Sequence, residues 1–143
     1  MPGMYPAIPG WHCDDWPRPD YGAQPDPSMR HPLAYHITCF VDTFDGDLSA
    51  TEYVLSQLQL DVSEGTPLWQ QVHKQIEELN VPRARMRGGA VYRFSGDTIH
   101  RATPAKARGW RYWFRFSTMH RKPDKALTPG PEQVYVLSEE NGW

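Results

Sequence analysis

The chain has 143 residues, with 15 Lys and Arg against 17 Asp and Glu and a net charge of −2. That length fits one domain with its own core, and the near balance of charge gives no global pull toward nucleic acid or an anionic membrane. No apolar run approaches the ~20 residues of a membrane span, and the two cysteines, Cys13 and Cys39, with no signal peptide ahead of them, read as thiols of a reducing, cytoplasmic compartment.

Residues 1–11 are a short Pro- and Gly-rich arm in which Tyr5 and Ile8 are the apolar anchors. Gly10-Trp11-His12-Cys13-Asp14-Asp15 follows. On a strand, residues i and i+2 share a face, so His12 and Asp14 converge while Cys13 points away; a register slip of one would offer Asp15 instead. Five prolines and one glycine between Asp15 and Pro32 rule out regular structure for most of residues 15–33. A loop this long is expected either as a lid, with Trp16, Arg18, Tyr21 and Arg30 as substrate contacts, or as a plain solvated connection.

Residues 34–42 read as a strand rich in β-branched and aromatic side chains. Tyr35, Ile37, Cys39 and Val41 share one face, and His36, Thr38 and Phe40 the other. His36 and Thr38 are thus candidates to face a cofactor, with a histidine simply hydrogen-bonded in the sheet as the plainer reading of His36. A turn follows at 42–47. Ser49-Ala50-Thr51-Glu52 has the form of a helix capping box, whereas Tyr53-Val54-Leu55 favours a strand.

One helix is expected. Thr66 is its N-cap and Pro67 its first residue. Leu68, Val72, Ile76 and Leu79 recur at helical spacing, and Asn80 and Pro82 end it. His73 beside that stripe reads as surface. Arg83, Arg85 and Arg87 alternate as a solvated edge strand would, with the steering of an anionic substrate as the alternative. Residues 90–95 form a strand that Gly96-Asp97 turns back, as a hairpin, into a strand carrying His100.

After Gly109 the chain alternates again. Trp110, Tyr112, Phe114 and Phe116 fall on one face, and Arg111, Trp113, Arg115 and Ser117 on the other. Arginines on an inner face are unfavourable unless they meet an anion. Residues 118–143 are a polar, Pro-rich extension with a last strand at 133–137 and Trp143 as either a docking anchor or a disordered end.

Two histidines and one carboxylate on three corners of an octahedron are the facial triad of non-haem iron(II) oxygenases. His-x-Asp alone is weak. It gains weight from a distal histidine after Gly-Asp, and from a Gly-aromatic-Arg whose arginine stands eleven residues beyond that histidine. With His-x-Asp at 12–14 and His-x8-Gly-aromatic-Arg at 100–111, the sequence resembles the iron(II)/2-oxoglutarate-dependent oxygenases, in particular the phytanoyl-CoA-hydroxylase-like branch. The resemblance spans residues 6–117 and also favours a strand within 46–54.

It implies an all-β double-stranded β-helix (a jelly roll, cupin-like) with one flanking helix. It implies His12, Asp14 and His100 as catalytic metal ligands for Fe(II), and Arg111 as the partner of the far carboxylate of 2-oxoglutarate. Arg115 with Ser117 makes an Arg-x-Ser pair that other branches use for that carboxylate, and Thr38 completes the cofactor-binding candidates. The implied reaction hydroxylates a C–H bond of a small molecule or a side chain, releasing succinate and CO2. The family places more structure ahead of His-x-Asp than eleven residues, so the expectations are a trimmed barrel, one completed by a second copy, or a piece of a longer product. Two other classes remain open: a cupin-like metal enzyme without 2-oxoglutarate, and an inactive barrel serving assembly.

Overall fold

A computed structural model of the chain describes residues 2–14, 16, 17, 25, 26, 29, 34–42, 48–63 and 67–119. These residues are mostly β, in two small antiparallel sheets beside one helix. The first sheet has the order β4-β1-β6, formed by β4 (Val91–Ser95), β1 (Ala34–Asp42) and β6 (Arg111–Met119). The second has the order β3-β2-β5, formed by β3 (Arg83–Arg85), β2 (Thr51–Val54) and β5 (His100–Ala102). His12 adds to the free side of β5 through an isolated antiparallel bridge to His100. Along the chain the strands therefore change sheets repeatedly: β1 and β2 are in different sheets, as are β3 and β4, β4 and β5, and β5 and β6.

That alternation corrects one expectation. The Gly96-Asp97 turn joins β4 to β5, but no hairpin forms, because β4 pairs with β1 and β5 with β2. The strand β6 also lies in the other sheet from the histidine strand; all nine of its residues pair with β1, from Ala34↔Met119 to Asp42↔Arg111. Local turn chemistry marks where the chain reverses, while burial of a face decides which neighbour it meets.

The inner faces of the two sheets enclose Phe40, Ala50, Tyr53, Met86 and Phe94. On β1 the alternation is kept, but the side turned inward is the more polar one. Ala34, His36, Thr38 and Phe40 are buried, whereas Tyr35, Ile37 and Val41 are exposed. β6 behaves alike: Tyr112, Phe114 and Phe116 face outward. Residues 51–54 resolve the earlier ambiguity in favour of a strand, so Ser49-x-x-Glu52 is not a capping box.

The helix α1 (Leu68–Leu79) packs Leu68, Val72 and Ile76 against Trp11 and Val54 in a second cluster. It begins one residue later than expected. Pro67 has ψ of 126° and is the N-cap rather than the first helical residue. Asn80 ends the helix in the left-handed conformation, φ 46° and ψ 46°, which asparagine tolerates. Leu79 lies exposed, at the fringe of the stripe. None of the described helices is long and apolar enough to cross a membrane. The N-terminal arm is tied down by three backbone bonds to the end of β5 and the segment after it, from Gly3 to Ala105, from Ala105 to Met4 and from Ala102 to Ile8.

Candidate metal centre

His12 and His100 face each other across the β-bridge, exchanging both backbone bonds at 3.0 and 2.9 Å. Directly opposed residues of an antiparallel pair project to the same side, so the two imidazoles stand side by side with ring centroids 4.6 Å apart. Asp14, two residues on, shares the face of His12, and its carboxylate lies 3.6 Å from His100 Nε2. One ligand atom from each of His12, Asp14 and His100 falls within 4.8 Å of the others. Both histidines are buried and Asp14 is half-buried. This group can hold a metal ion.

The tautomers suit that task. His12 Nδ1 lies 2.8 Å from the Gly10 carbonyl, and His100 Nδ1 lies 2.9 Å from the Thr98 carbonyl. A carbonyl oxygen only accepts, so each Nδ1 carries a proton and Nε2 is the nitrogen left to ligate. The same local device serves both: a strand residue bonded to the carbonyl two places before it. Burial, aided by the neighbouring His100 charge, lowers the pKa of His12 from 6.5 to about 4. Burial alone would raise the Asp14 carboxyl, but His100 and Arg115 outweigh it and hold Asp14 below its ordinary value. His12 therefore stands as a neutral imidazole and Asp14 as a carboxylate, the states in which each can ligate a divalent cation.

Rings wall the cluster. Tyr53 sits beside His100 in the β2–β5 ladder, with centroids 5.7 Å apart. Phe94 lies 5.5 Å from His100 and 5.0 Å from His36. Trp69 of α1 meets the His12 ring edge-on at 6.3 Å, and Trp16 meets Trp69 the same way at 5.9 Å. Cys13 points away from the ligands, as strand alternation requires, and lines a cavity of about 620 Å³ with Trp16, Leu58, Leu68, Trp69 and Ile99. Burial pushes its thiol pKa up, with Asp97 and Asp14 adding to the rise.

The remaining predicted residues divide. Arg115 reaches across from β6 and pairs with the Asp14 carboxylate. Arg111 does not join the cluster; its guanidinium donates to the Ser49 carbonyl and lies 5.9 Å from the Phe40 ring centre. Thr38, opposite Arg115 in register, is buried and donates to the Phe114 carbonyl at 3.0 Å. The Ser117 hydroxyl hydrogen-bonds His36 Nδ1 at 2.8 Å. Trp16 is half-buried and donates its indole N–H to the Asp26 carbonyl. Arg18, Tyr21 and Arg30 lie outside the described residues, as do Asp15, the N-cap candidate Thr66, the strand at 133–137 and Trp143.

Three residues that matter to the cluster escaped the sequence reading. Tyr53 and Phe94 look like ordinary strand aromatics, and only the pairing of β2 with β5 brings Tyr53 beside His100. Trp69 had a signal, since it stands beside Leu68 but off the i, i+4 stripe that buries the helix. His73, read as surface, is half-buried and accepts from the Trp11 backbone N–H at 3.4 Å. Compared with family models, curated proteins and solved structures, the chain finds no match.

Proposed function

We propose that this protein is a non-haem iron(II)- and 2-oxoglutarate-dependent oxygenase that hydroxylates a C–H bond of its substrate, releasing succinate and CO2. The observation that carries this reading is the His12, Asp14 and His100 cluster, whose donor set matches a facial triad. Support for the fold comes from the strand order: segments that alternate between two facing sheets, with a ligand pair at the bridge of one sheet, suit a double-stranded β-helix.

In this reading His12 and His100 offer Nε2 and Asp14 a carboxylate oxygen to the ion. Bound Fe(II) supplies open coordination positions at which a 2-oxo acid and O2 meet. The chain's own part is to hold and to exclude. Carbonyls of Gly10 and Thr98 fix the imidazole rings, Tyr53, Phe94 and Trp69 keep water from the ligand face, and a cationic side chain receives the far carboxylate of the cosubstrate. Arg115 is the guanidinium at the cluster and our choice for that role over Arg111, whose guanidinium is engaged with the Ser49 carbonyl. The two free cysteines, Cys13 and Cys39, and a ferrous ion suit a reducing compartment such as the cytoplasm.

Anaerobic titration with Fe(II), with and without 2-oxoglutarate, tests the reading. A charge-transfer band that needs both components is the expected result, and its absence would sink the proposal. Arg115→Ala should then weaken the band's dependence on 2-oxoglutarate by tenfold or more, taking ~1.5–3 kcal/mol for a charged hydrogen bond, while Arg111→Ala changes it little. A second reading has one observation of its own. Because Arg115 already pairs with Asp14, it reads equally as a partner of the ligand itself, as in a metal enzyme that takes no 2-oxo acid; Fe(II) binding with no response to 2-oxoglutarate would select it.

A further inference from the structure

Besides the cavity behind Cys13, the two sheets leave a cavity of about 460 Å³ along β4. Tyr35, Tyr53, Tyr92 and Phe94 give it aromatic walls, and among the described residues that line it Arg93 alone is charged. By strand alternation Tyr92 and Phe94 turn to the inner face of β4 and Arg93 to the outer one. The cavity therefore passes round that strand, with Val54 and Ala84 of the second sheet across from it.

The inner rings are held in place before any ligand arrives. Tyr53 donates its hydroxyl to Met86 Sδ at 3.4 Å, and the Tyr92 hydroxyl accepts from the Arg87 backbone N–H at 2.7 Å. Phe94 packs on Tyr53 with ring centroids 5.1 Å apart. The hydroxyls of Ser95 and Thr98, also in the lining, bond to each other at 3.1 Å. With these polar atoms engaged, the cavity offers a ligand ring surface and one guanidinium. Arg93 is exposed and lies 5.0 Å from the centre of the Tyr35 ring. None of the ion pairs among the described residues includes it.

We propose that this cavity binds an aromatic carboxylate, with its ring against Tyr53, Tyr92 and Phe94 and its carboxylate on Arg93. Aromatic side chains favour edge-to-face and offset contacts with a further ring, and a guanidinium pairs a carboxylate through two parallel N–H bonds. One guanidinium matches the single negative charge of a carboxylate better than the double charge of a phosphate. A cationic ligand would meet Arg93 with like charge and find no carboxylate among the described lining residues. The site is distinct from the cosubstrate position, since Arg115 takes no part in the lining. It nevertheless adjoins the metal cluster: Tyr53 and Phe94 also stand against His100, with centroids 5.7 and 5.5 Å from its ring. A ring bound here lies one side chain away from His100.

Calorimetric titration of the metal-free full chain with 2-naphthoate tests this. The comparison ligands are 2-naphthamide, the same ring without the charge, and cyclohexanecarboxylate, the charge without an aromatic ring. The naphthoate should bind saturably, the amide roughly tenfold or more weakly, and the cyclohexane acid several-fold more weakly. Arg93→Gln, a change at an exposed position, should weaken naphthoate binding by roughly tenfold and leave amide binding as it was. Ala84→Phe, which fills the cavity, should remove binding of both while far-UV circular dichroism stays unchanged. A native chain that binds no naphthoate, or binds acid and amide equally, overturns the proposal, and so does an Arg93→Gln chain with full affinity for the acid. No iron enters the titration, so its failure leaves the charge-transfer test of the oxygenase reading untouched.

Discussion

His12 is held neutral by its surroundings, and that has a consequence for acid stability. Its pKa falls to about 4 in the folded chain against an ordinary 6.5, through burial and the neighbouring His100 charge, with Arg115 acting the same way and Asp14 and the Gly10 carbonyl opposing them. Between those two values the unfolded chain takes up a proton that the folded chain refuses. The folded state thus binds fewer protons, and stability falls as pH drops from about 6.5 to about 4. Asp14 contributes in the opposite range. Its lowered pKa gives stability that persists above its ordinary 3.8 and is lost only as pH falls further, through the folded value. In denaturant titrations of the metal-free chain, the unfolding free energy should therefore decline across the higher window with a slope of up to about 1.4 kcal/mol per pH unit. His12→Asn, which cannot titrate there, should flatten that slope, and an unchanged slope would remove His12 as its source.

At the scale of elements, α1 is locked to the ligand-bearing segment through Trp11. The indole is fully buried and donates to Glu77 at 2.7 Å. The Arg83 and Arg101 guanidinium groups lie 5.1 and 4.3 Å from its ring centre. Arg101 bridges Glu77 at 2.8 Å and Glu52 at 2.8 Å, tying helix, β5 and β2 together. Arg83, expected as part of a solvated edge, is instead bonded to the Ile76 carbonyl at the helix end. Glu77 is partly exposed, so its ion pairs are screened and count for little; the orphaned indole N–H is what a substitution leaves behind. Glu77→Ala should lower stability by about 1–3 kcal/mol, read from the denaturant midpoint, while sparing metal stoichiometry. Much of this scale was legible in the sequence. The bounds of β1 and the stripe of α1 follow directly from periods of two and of 3.6. The partner of each strand did not, because Ser95-Gly96-Asp97 marks a reversal equally well for a hairpin and for a crossing between sheets. Nor did the side of β1 that faces inward: an ordinary half-buried strand would bury Tyr35, Ile37 and Val41, whereas this one buries His36 and Thr38. A strand that turns its polar side inward is what a site within the sheets requires, and such departures from local rules gather at functional positions.

Considered whole, the molecule brings ligands from the two ends of the described chain into one cluster and then ties that cluster to the facing sheet through Arg115. The N-terminal segment reaches β5 by the His12 bridge, the arm's backbone bonds and the Trp11 ring under Arg101, and Cys13 within it is a free thiol. A metal ion on His12, Asp14 and His100 would therefore add a further link between that segment and the second sheet. An ion that binds only the folded chain stabilises it by about 2.7 kcal/mol at a hundredfold excess over its dissociation constant. At ~2–4 °C of melting temperature per kcal/mol for a chain of this size, Mn(II) or anaerobic Fe(II) should raise the melting point by roughly 5–10 °C. Asp14→Ala and His100→Ala should each abolish that rise, and their own metal-free melting points show whether the fold survives the change. Asp14→Ala separates two roles, since it removes a ligand and also deprives Arg115 of its anion. If its metal-free melting point falls further than that of His100→Ala, the Asp14–Arg115 pair is itself holding the two sheets together. If instead both variants keep the full metal-dependent rise, the ion is bound elsewhere and the cluster is not a metal centre.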